Sequence, residues 1–507
     1  HNIHILLQDL IQSFSSNNGL GTRSRHMGQV VQDIRCAKNA SILIIVSLVT
    51  VFIVTSQADE WWPHFVVSGK LMQPTQNLEP LEYDIELNIA NDDEGSFSGD
   101  VDIFVKFKSP SKNALGRMMA DCLGKRCSNQ ADSERRDRIN LHKFRGLEIE
   151  ARSINIMAGK SISELRAGKG AKLSFKPAML ESYEVVTIDL IKNMPAEQYG
   201  MISFKYKTTI DSRLYQGYIF NPIRGEKEWY GASRIRTFEA HHLLPCFSDP
   251  NLKAKINLRV VHQLKGAIVI SNAHTEDTLQ PREVIFEQTS AAIPISSFAF
   301  AIGPYHRMVK SPSMDQSMMK DSIEVNFFEP NGHSGESEFA LEIAIKAFAW
   351  FKKHYEQEHT AYPLRHINLV AVPSNDKWRI SDGLGIGLID HDLLLIDDDI
   401  SSPQRRIEAA LNVALVISRQ WFGHLVVPKS VEDSWITEGL AMHTALRIVD
   451  QIEPQFKADQ YVTNQYYRHI AMKLRNDRDA KIPPRDLVFM EQLKSKRVFD
   501  LIRANIV

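Results

Sequence analysis

A capped apolar helix is the feature that most constrains what this sequence can fold into. Ser402 is suited to the N-cap, Pro403 to the first turn and Gly423 to the C-terminal end of the helix. The residues that recur along one side of it are Leu411, Leu415, Ser418 and Phe422. Because this spacing follows the helical period, we expect that side to be buried in a core.

The end of this helix and a glutamate beyond it form a second pattern. Gln420-Trp421-Phe422-Gly423 closes the helix, and Glu438 lies nineteen residues after Arg419. Both features resemble the gluzincin zinc aminopeptidases of the aminopeptidase N family. In that family His-Glu-x-x-His directly precedes Gln-Trp-Phe-Gly, and a glutamate nineteen residues after the second histidine completes the zinc site. The resemblance implies a metallopeptidase frame in this part of the chain.

The residues that perform the zinc chemistry in that family are replaced in this sequence. Leu415 and Arg419 stand at the two histidine positions, and Val416 stands at the position of the general base. Neither leucine nor arginine coordinates zinc, and valine cannot take a proton from water. Glu438 is the one position still competent as a ligand, so we expect no bound zinc, no other cofactor and no intact catalytic residue.

Glu438 needs a positive partner if the helix is buried as predicted. A carboxylate at the floor of a cleft is costly unless it is paired. Arg419 occupies a ligand position of the same site, so we predict that its guanidinium replaces the metal cation in an Arg419–Glu438 ion pair. The alternative is that Arg419 points to solvent and Glu438 is an ordinary acidic residue at the start of a helix.

The position that holds the free amino terminus of the substrate in the family is changed as well. Gly387-Leu388-Ile389 fixes the alignment and places Leu384, between Gly383 and Gly385, where the family has its amine-binding glutamate. Leucine offers no charge to an ammonium group. A slip of the alignment would bring Asp382 into that place.

Two further positions of the family site are altered. Arg234, counted back from Pro245, takes the place of the second amine-binding residue and would repel an ammonium group. Lys494 takes the place of the family's transition-state tyrosine. A lysine can stabilise an oxyanion in principle, but it has no context here without zinc and a base. We therefore interpret the substrate positions Leu384, Gly383, Gly385 and Arg234 as a degenerate cleft.

The length and patterning of the chain predict a multidomain protein. A chain of 507 residues exceeds a single core, and its 43% apolar and 24% charged residues are typical of globular proteins. Apolar alternation up to about residue 304 predicts strands. The resemblance implies a β-rich N-terminal saddle or sandwich domain over 71–304, with a polar insertion at 109–138. A thermolysin-like α/β domain, C-terminally incomplete, is expected over 305–507.

An apolar run over residues 40–55 predicts how the chain is targeted. Arg35 and Lys38 precede the run and Asp59-Glu60 follow it. The basic flank predicts that residues 1–39 are cytosolic, unless they are an untranslated-like stretch, and that the bulk of the chain is outside. Residues 40–56 are expected to be a signal-anchor or a cleaved signal peptide. The protein would then be a type II plasma-membrane protein with an extracellular ectodomain, or a secreted one.

The net charge and the cysteines indicate which ligands and which covalent bonds to expect. The net charge of −1 provides no long-range field, so nucleic-acid binding is not expected. Cys122 and Cys127 are close enough in sequence for a small loop disulfide in an oxidising compartment. Cys246, between Pro245 and Phe247, is expected to be a free core thiol. Glycosylation receives no support beyond the sequon at Asn39, which lies at the membrane edge.

Taken together, the replaced positions predict a catalytically inactive homologue on a retained fold. Its expected work is binding of a peptide or a protein in the former active-site cleft, and a second copy of the chain, in a homodimer, is a further expected partner. The alternative is a zinc-dependent aminopeptidase with altered metal ligands, which would remove N-terminal residues from peptides.

Overall fold

The computed structural model describes most of the chain between Leu78 and Asn464. The described residues are 78–89, 97–107, 138–142, 147–150, 152–180, 185–191, 198–208, 214–221, 224–235, 240–275, 282–310, 323–355, 362–373, 380–428, 434–462 and 464. By its internal contacts the chain divides into His1–Glu60 and Trp61–Val507, and every described residue belongs to the second unit. None of the described helices is long and apolar enough to span a bilayer.

Several sequence-based predictions lie outside the described residues. These are the targeting segment at 40–56, the Cys122–Cys127 disulfide, Lys494, and the insertion at 109–138 apart from its last residue. Cys246 is described, and it is a free and buried thiol as predicted. Burial raises the pKa of this thiol to about 12, which keeps it protonated and unreactive.

Strands dominate the first part of the described chain and helices the last part. The strands are β1 (Leu78–Ile89), β2 (Phe97–Phe107), β3 (Arg138–His142), β4 (Leu147–Ile149), β5 (Asn155–Gly159), β6 (Ala171–Lys172), β7 (Phe175–Leu180), β8 (Val185–Leu190), β9 (Tyr199–Thr208), β10 (Leu214–Asn221), β11 (Glu226–Ser233), β12 (Lys253–His262), β13 (Ile268–Ser271), β14 (Glu283–Ile285), β15 (Ile293–Pro294), β16 (Phe300–Gly303), β17 (Tyr305–Lys310), β18 (Glu324–Pro330), β19 (His366–Val372), β20 (Ile380–Gly383) and β21 (Ile386–Asp390). The α-helices within the described residues are α1 (Ile162–Arg166), α2 (Glu338–Tyr355), α3 (Pro403–Trp421) and α4 (Ser434–Ile452). Short 3-10 turns lie at Ala240–His242, Ile295–Ser297, His391–Leu393 and Pro454–Phe456.

The largest sheet forms the β-rich part of the molecule. Its order within the described residues is β14-β12-β1-β2-β9-β5-β6, with β15 paired to β12 and β4 paired to β9. Buried and partly exposed residues alternate along β1 and β2, which is the pattern of strands with one face on a core. The strands that apolar alternation predicts before residue 304 are thus confirmed for β1 and β2. Two smaller sheets, β10-β11-β16-β13 and β3-β8-β7, complete this part.

A five-stranded sheet and three helices form the α/β part. The order is β17-β18-β19-β21-β20, with β18, β19 and β21 parallel and an antiparallel strand at each edge. Every residue of β19 is buried, as expected for an inner strand of a sheet that is covered on both faces. The helical period of the sequence over residues 336–355 and the apolar run over residues 366–373 account for α2 and β19.

From Ala409 to its end, the signature helix α3 is buried on nearly all sides, which is more than the sequence predicted. From Ala409 to Trp421 every residue except Leu411 is buried. The helix contacts α2, α4 and β20, so its polar side has no access to water. Trp421, at its last turn, stacks on Phe351 of α2 with ring centroids 4.3 Å apart and an interplanar angle of 8°. The prediction of a single buried side was therefore too narrow.

His366, at the start of β19, is a buried imidazole with an altered pKa. Its ring centroid lies 4.0 Å from that of His274, and its Nε2 has no hydrogen-bond partner among the described residues. Burial, and then the charge of His274, lower the pKa of His366 to about 4, with Glu324 and Arg307 acting in opposite directions. His366 is therefore neutral at pH 7.

Candidate functional site

Helix α3 begins and ends where the sequence predicted. The hydroxyl of Ser402 accepts a hydrogen bond from the backbone N–H of Arg405, which satisfies one of the free donors of the first turn. The cap at the C-terminal end is Phe422, whose N–H donates to the carbonyl of Ser418. Gly423 follows with a φ of 150°, a backbone conformation that favours glycine. The helix therefore presents its former chemical positions in the register that the alignment assumed.

Two of those positions carry hydrocarbon into the core. Leu415 is 3% exposed and Val416 is fully buried. A Cβ atom placed on Gly387 of β21 would collide with Val416, so strand and helix are in van der Waals contact at this point. The place where the family has a ligand and a general base is therefore packed with methyl groups, which bind neither metal nor water.

Arg419 is the third altered position, and its guanidinium is buried against two carboxylates. Its Nη2 donates a hydrogen bond of 2.6 Å to Oε2 of Glu438, and its Nη1 lies 3.6 Å from Oδ1 of Asp382. The side chains of Arg419, Asp382 and Glu438 are 4%, 10% and 29% exposed. The predicted Arg419–Glu438 ion pair is confirmed, and the alternative with Arg419 in solvent is wrong.

The charge of Arg419 is stabilised by its partners. Burial alone lowers the pKa of the guanidinium, but the charges of Glu438 and Asp382 outweigh burial and raise the pKa above its usual value. Arg419 is therefore a permanent cation at this position. Within the described residues its Nε and Nη1 have no hydrogen-bond acceptor, so the pairing with Asp382 is electrostatic rather than a formed hydrogen bond.

A histidine and a serine extend this network into the β-rich part. Nδ1 of His424 lies 2.8 Å from the hydroxyl of Ser297, and its Nε2 lies 3.5 Å from Oδ2 of Asp382. Ser297 is 1% exposed and His424 is 8% exposed. The order serine, histidine, aspartate is that of a hydrolase triad, but a hydroxyl so deeply buried has no access to a substrate. We interpret the row as a buried hydrogen-bond and ion-pair network.

The turn at Gly383–Gly385 is held from both sides by buried amides. Gln420 of α3 accepts hydrogen bonds from the N–H of Gly385 and the hydroxyl of Tyr362, and it donates to the carbonyl of Gly383. Asn272 donates from its side-chain amide to the carbonyls of Ser297 and Leu384. These bonds explain why the polar Gln420 is retained in a fully buried position.

The side chain of the turn itself points away from solvent. Leu384 is 2% exposed, and its N–H donates to the carbonyl of Ser297. A Cβ atom on Gly383 would collide with the same carbonyl, and Gly385 has a φ of 80°. Leu384 therefore stands at the predicted position of the amine-binding residue as a packed core side chain.

The remaining residues considered from the sequence are Arg234, Lys494 and Asp382. Arg234 follows β11 and is partly buried, and Lys494 lies outside the described residues. Asp382, which the sequence offered only through a slip of alignment, lies beside Arg419. His424 and Ser297 were not foreseen. The available signal for His424 was its place directly after the Gln420–Gly423 segment.

Two protein-family models match the chain. The Peptidase M1 N-terminal domain matches residues 131–298, and the Peptidase family M1 domain matches residues 339–502. The chain belongs to peptidase family M1. The two matches follow the order seen in the structure, in which a β-rich part precedes the part with the long helices.

Relatives within the M1 family are distant in sequence. A puromycin-sensitive aminopeptidase of Caenorhabditis elegans is 23% identical over 61% of this chain and 32% of its own length. Aminopeptidase M1-D of Oryza sativa subsp. japonica is 21% identical over 64% of this chain and 36% of its own length. Endoplasmic reticulum aminopeptidase 1 of Rattus norvegicus is 21% identical over 57% of this chain and 29% of its own length. The matches thus span about a third of the length of these relatives.

M1 peptidases normally use zinc, so the fit of this site to zinc can be tested on its donor atoms. Leu415 and Val416 have none, and Arg419 places a cation against Glu438. Among the described residues, the histidine and carboxylate groups close enough together to hold a metal are Asp390, His391 and Asp392, which lie outside the signature helix. The residues at the M1 zinc position therefore do not fit a zinc ion.

Proposed function

We propose that this M1 homologue is catalytically inactive and acts by binding a peptide or a protein. The observation that carries the proposal is the position of the Arg419 guanidinium, which is buried between Glu438 and Asp382. A divalent cation held by Glu438 would share that carboxylate with a permanent positive charge, and the repulsion in a poorly hydrated site is severe.

The lost chemistry goes beyond the metal. Aminopeptidase chemistry needs a base to activate water, and Val416 at the base position is a buried hydrocarbon. It also needs a negative charge for the substrate's amino terminus, and Leu384 at that position is buried and uncharged. The metal ligands, the base and the amine-binding charge are thus all missing from the positions at which the M1 family has them.

Binding is supported by what remains at the surface of α4. Glu438 keeps 29% of its side chain exposed, and on the same helix Ile436 and Leu440 are 39% and 37% exposed. Ile436 and Leu440 are four residues apart and so lie on one face of α4. Glu438 lies two residues from each of them and therefore on a different side of α4. The exposed apolar pair and the exposed part of Glu438 are thus separate contact points for a peptide or protein ligand.

The location at which this binding takes place is also a proposal. We propose an extracellular place of action, as a secreted or type II plasma-membrane protein, on the strength of the apolar run at 40–55 and its basic flank. We also propose that the chain binds a second copy of itself to form a homodimer.

The alternative is a zinc-dependent aminopeptidase with altered ligands. Asp382 and His424 favour it, because they offer potential donor atoms: Oδ1 of Asp382 lies 3.6 Å from Arg419, and Nε2 of His424 lies 3.5 Å from Oδ2 of Asp382. This alternative requires the Arg419 guanidinium to leave its present position, and it still lacks a base at Val416. We therefore rank it second.

Hydrolysis of aminoacyl-amide substrates by the purified full chain separates the two proposals. We expect no cleavage above the rate in buffer, with or without added zinc. Zinc-stimulated cleavage that disappears in Glu438→Ala would establish the alternative and overturn the inactive assignment. A screen of peptide libraries against the inactive chain, repeated with Glu438→Ala, tests the binding role, since loss of the selected peptides in that variant is expected.

A further inference from the structure

A second group of metal-binding side chains lies at the end of β21, away from the signature helix. Asp390, His391 and Asp392 each offer one donor atom, and these atoms lie within 4.8 Å of one another. Nδ1 of His391 is 3.3 Å from Oδ1 of Asp390, and Nε2 is 3.8 Å from Oδ1 of Asp392. The imidazole thus has a carboxylate at each of its two nitrogen edges.

The nitrogen nearer to Asp390 has the surroundings of an unused ligand atom. Nδ1 of His391 is buried and has no hydrogen-bond partner among the described residues. Two donors bound to zinc at about 2.0–2.2 Å in a tetrahedral arrangement are separated by roughly 3.3 Å. The distance of 3.3 Å from Nδ1 to Asp390 matches that separation.

A second histidine lies near this group, in the loop before α2. The ring centroid of His333 lies 5.6 Å from that of His391, with the rings at 67° to each other. Nδ1 of His333 is 3.1 Å from Oε2 of Glu336. A carboxylate on one nitrogen of an imidazole fixes its tautomer and leaves the other nitrogen as an acceptor, which is how metal-bound histidines are usually supported.

Buried interactions fix the loop that carries His333. Glu329 is fully buried, and its carboxylate accepts hydrogen bonds from the N–H groups of Gly335 and Ser337. The carbonyl of Glu336 accepts a hydrogen bond of 2.9 Å from the N–H of Ile396, which ties this loop to the segment after His391. The two histidines are therefore held close by the backbone, so little reorganisation is needed to bind an ion.

We propose that His391, Asp390 and Asp392, together with His333, form a binding site for a divalent transition-metal ion of the zinc type. Imidazole nitrogen combined with carboxylate oxygen favours zinc, cobalt or nickel over calcium or magnesium, which take oxygen ligands. The site is open to the ion, because the side chains of His391, His333 and Asp392 are 20%, 35% and 71% exposed. It is independent of the proposed loss of the catalytic zinc.

The charges that face the site favour a cation. The carboxylates of Asp390, Asp392 and Glu336 surround the two imidazoles, whereas Arg405, 3.7 Å from Asp392, is the cation that the metal would displace in part. The same carboxylates would stabilise a metal ion bound at His391.

The test is titration of the chelator-treated full chain with cobalt(II), followed by the visible absorption of the bound ion and by calorimetry. We expect one equivalent to bind at pH 7.5. His391→Gln and Asp392→Asn are each expected to weaken binding about tenfold or more. The matched control is His306→Gln, which removes an exposed histidine of β17 and should leave the affinity unchanged.

Three results would overturn the proposal. They are absence of cobalt binding by the full chain, equal affinity of the chain and His391→Gln, and a loss of affinity in Glu438→Gln instead. Because His391 is partly buried, His333→Gln provides a second variant at a more exposed position. Its expected effect is also a weakening, and circular dichroism of each metal-free variant shows that it has folded. A loss of affinity in Glu438→Gln would place the metal at α3 instead of at His391. This variant therefore tests the metal site separately from the proposed lack of activity.

Discussion

Arg419→Ala is the substitution that tests the central ion pair most directly. It removes a guanidinium whose side chain is 4% exposed and leaves the carboxylates of Asp382 and Glu438 at 10% and 29% exposure. Removing one partner of a buried ion pair costs about 3–5 kcal/mol, because the remaining charge is uncompensated. Glu438 can turn its carboxylate partly to water, so we expect the lower end, about 3 kcal/mol, with Asp382 as the main source.

The assay is equilibrium unfolding of the full chain in urea, followed by tryptophan fluorescence. A lower midpoint at an unchanged slope reports a loss of stability rather than a change in the surface exposed on unfolding. Arg406→Ala is the matched control on the same helix. Arg406 donates a 2.6 Å hydrogen bond to Asp398, but the two side chains are 29% and 84% exposed, so the expected loss is below about 1 kcal/mol.

A loss in Arg419→Ala no greater than that in Arg406→Ala would refute the reasoning. The double variant Arg419→Met with Asp382→Asn provides a second check. Because it also removes the charge of the less exposed carboxylate, it should be more stable than Arg419→Met alone if the cost comes from that uncompensated carboxylate. Equal stability of the two would locate the cost in lost packing instead.

Three further outcomes follow from buried groups near the site and are measured by the same unfolding assay. Gln420→Leu should cost about 2–4 kcal/mol, since the N–H of Gly385 loses its acceptor along with two other buried partners. Gly383→Ala should cost about 1–3 kcal/mol, because the new methyl group meets the carbonyl of Ser297, which is backbone and cannot rotate away. The pKa of His366 is about 4 in the folded chain, against 6.5 for an ordinary histidine, so protonation favours the unfolded state below pH 6.5. At 1.36 kcal/mol per pKa unit, about 3 kcal/mol of stability should be lost between pH 6.5 and pH 4, and His366→Phe should remove that part of the pH dependence.

The sequence predicted the ends of α3 and its spacing to Glu438, because these features depend on local signals. Ser402, Pro403 and Gly423 are local signals for the start and end of a helix. The nineteen-residue interval from Arg419 to Glu438 fixes which face of the next helix meets α3. The Arg419–Glu438 pair followed from charge balance alone, since a buried carboxylate needs a cation. These predictions required no knowledge of how distant segments pack.

The rest of the network could not be predicted in this way. Ser297 and His424 are 127 residues apart, and Asn272 bonds to Leu384 across 112 residues. Nothing in the neighbouring residues of either pair indicates its partner, since single buried serines and asparagines are common in loops. The burial of α3 on nearly all sides from Ala409 onward was also missed, because an apolar period shows which side is buried but does not show that the polar side is covered as well.

The hydrogen bonds around Gly383–Gly385 explain how an M1 frame can persist without its metal. In a zinc site the ligands bind the metal as well as the fold, so replacing them removes stabilising interactions. Here Gln420 and Asn272 connect α3, the turn and the β-rich part through bonds that end on backbone atoms and need no ion. Arg419 supplies the positive charge that Glu438 needs. Selection on stability alone would therefore preserve these residues even where catalysis is lost, so retention of the Gln-Trp-Phe-Gly segment is no evidence of activity.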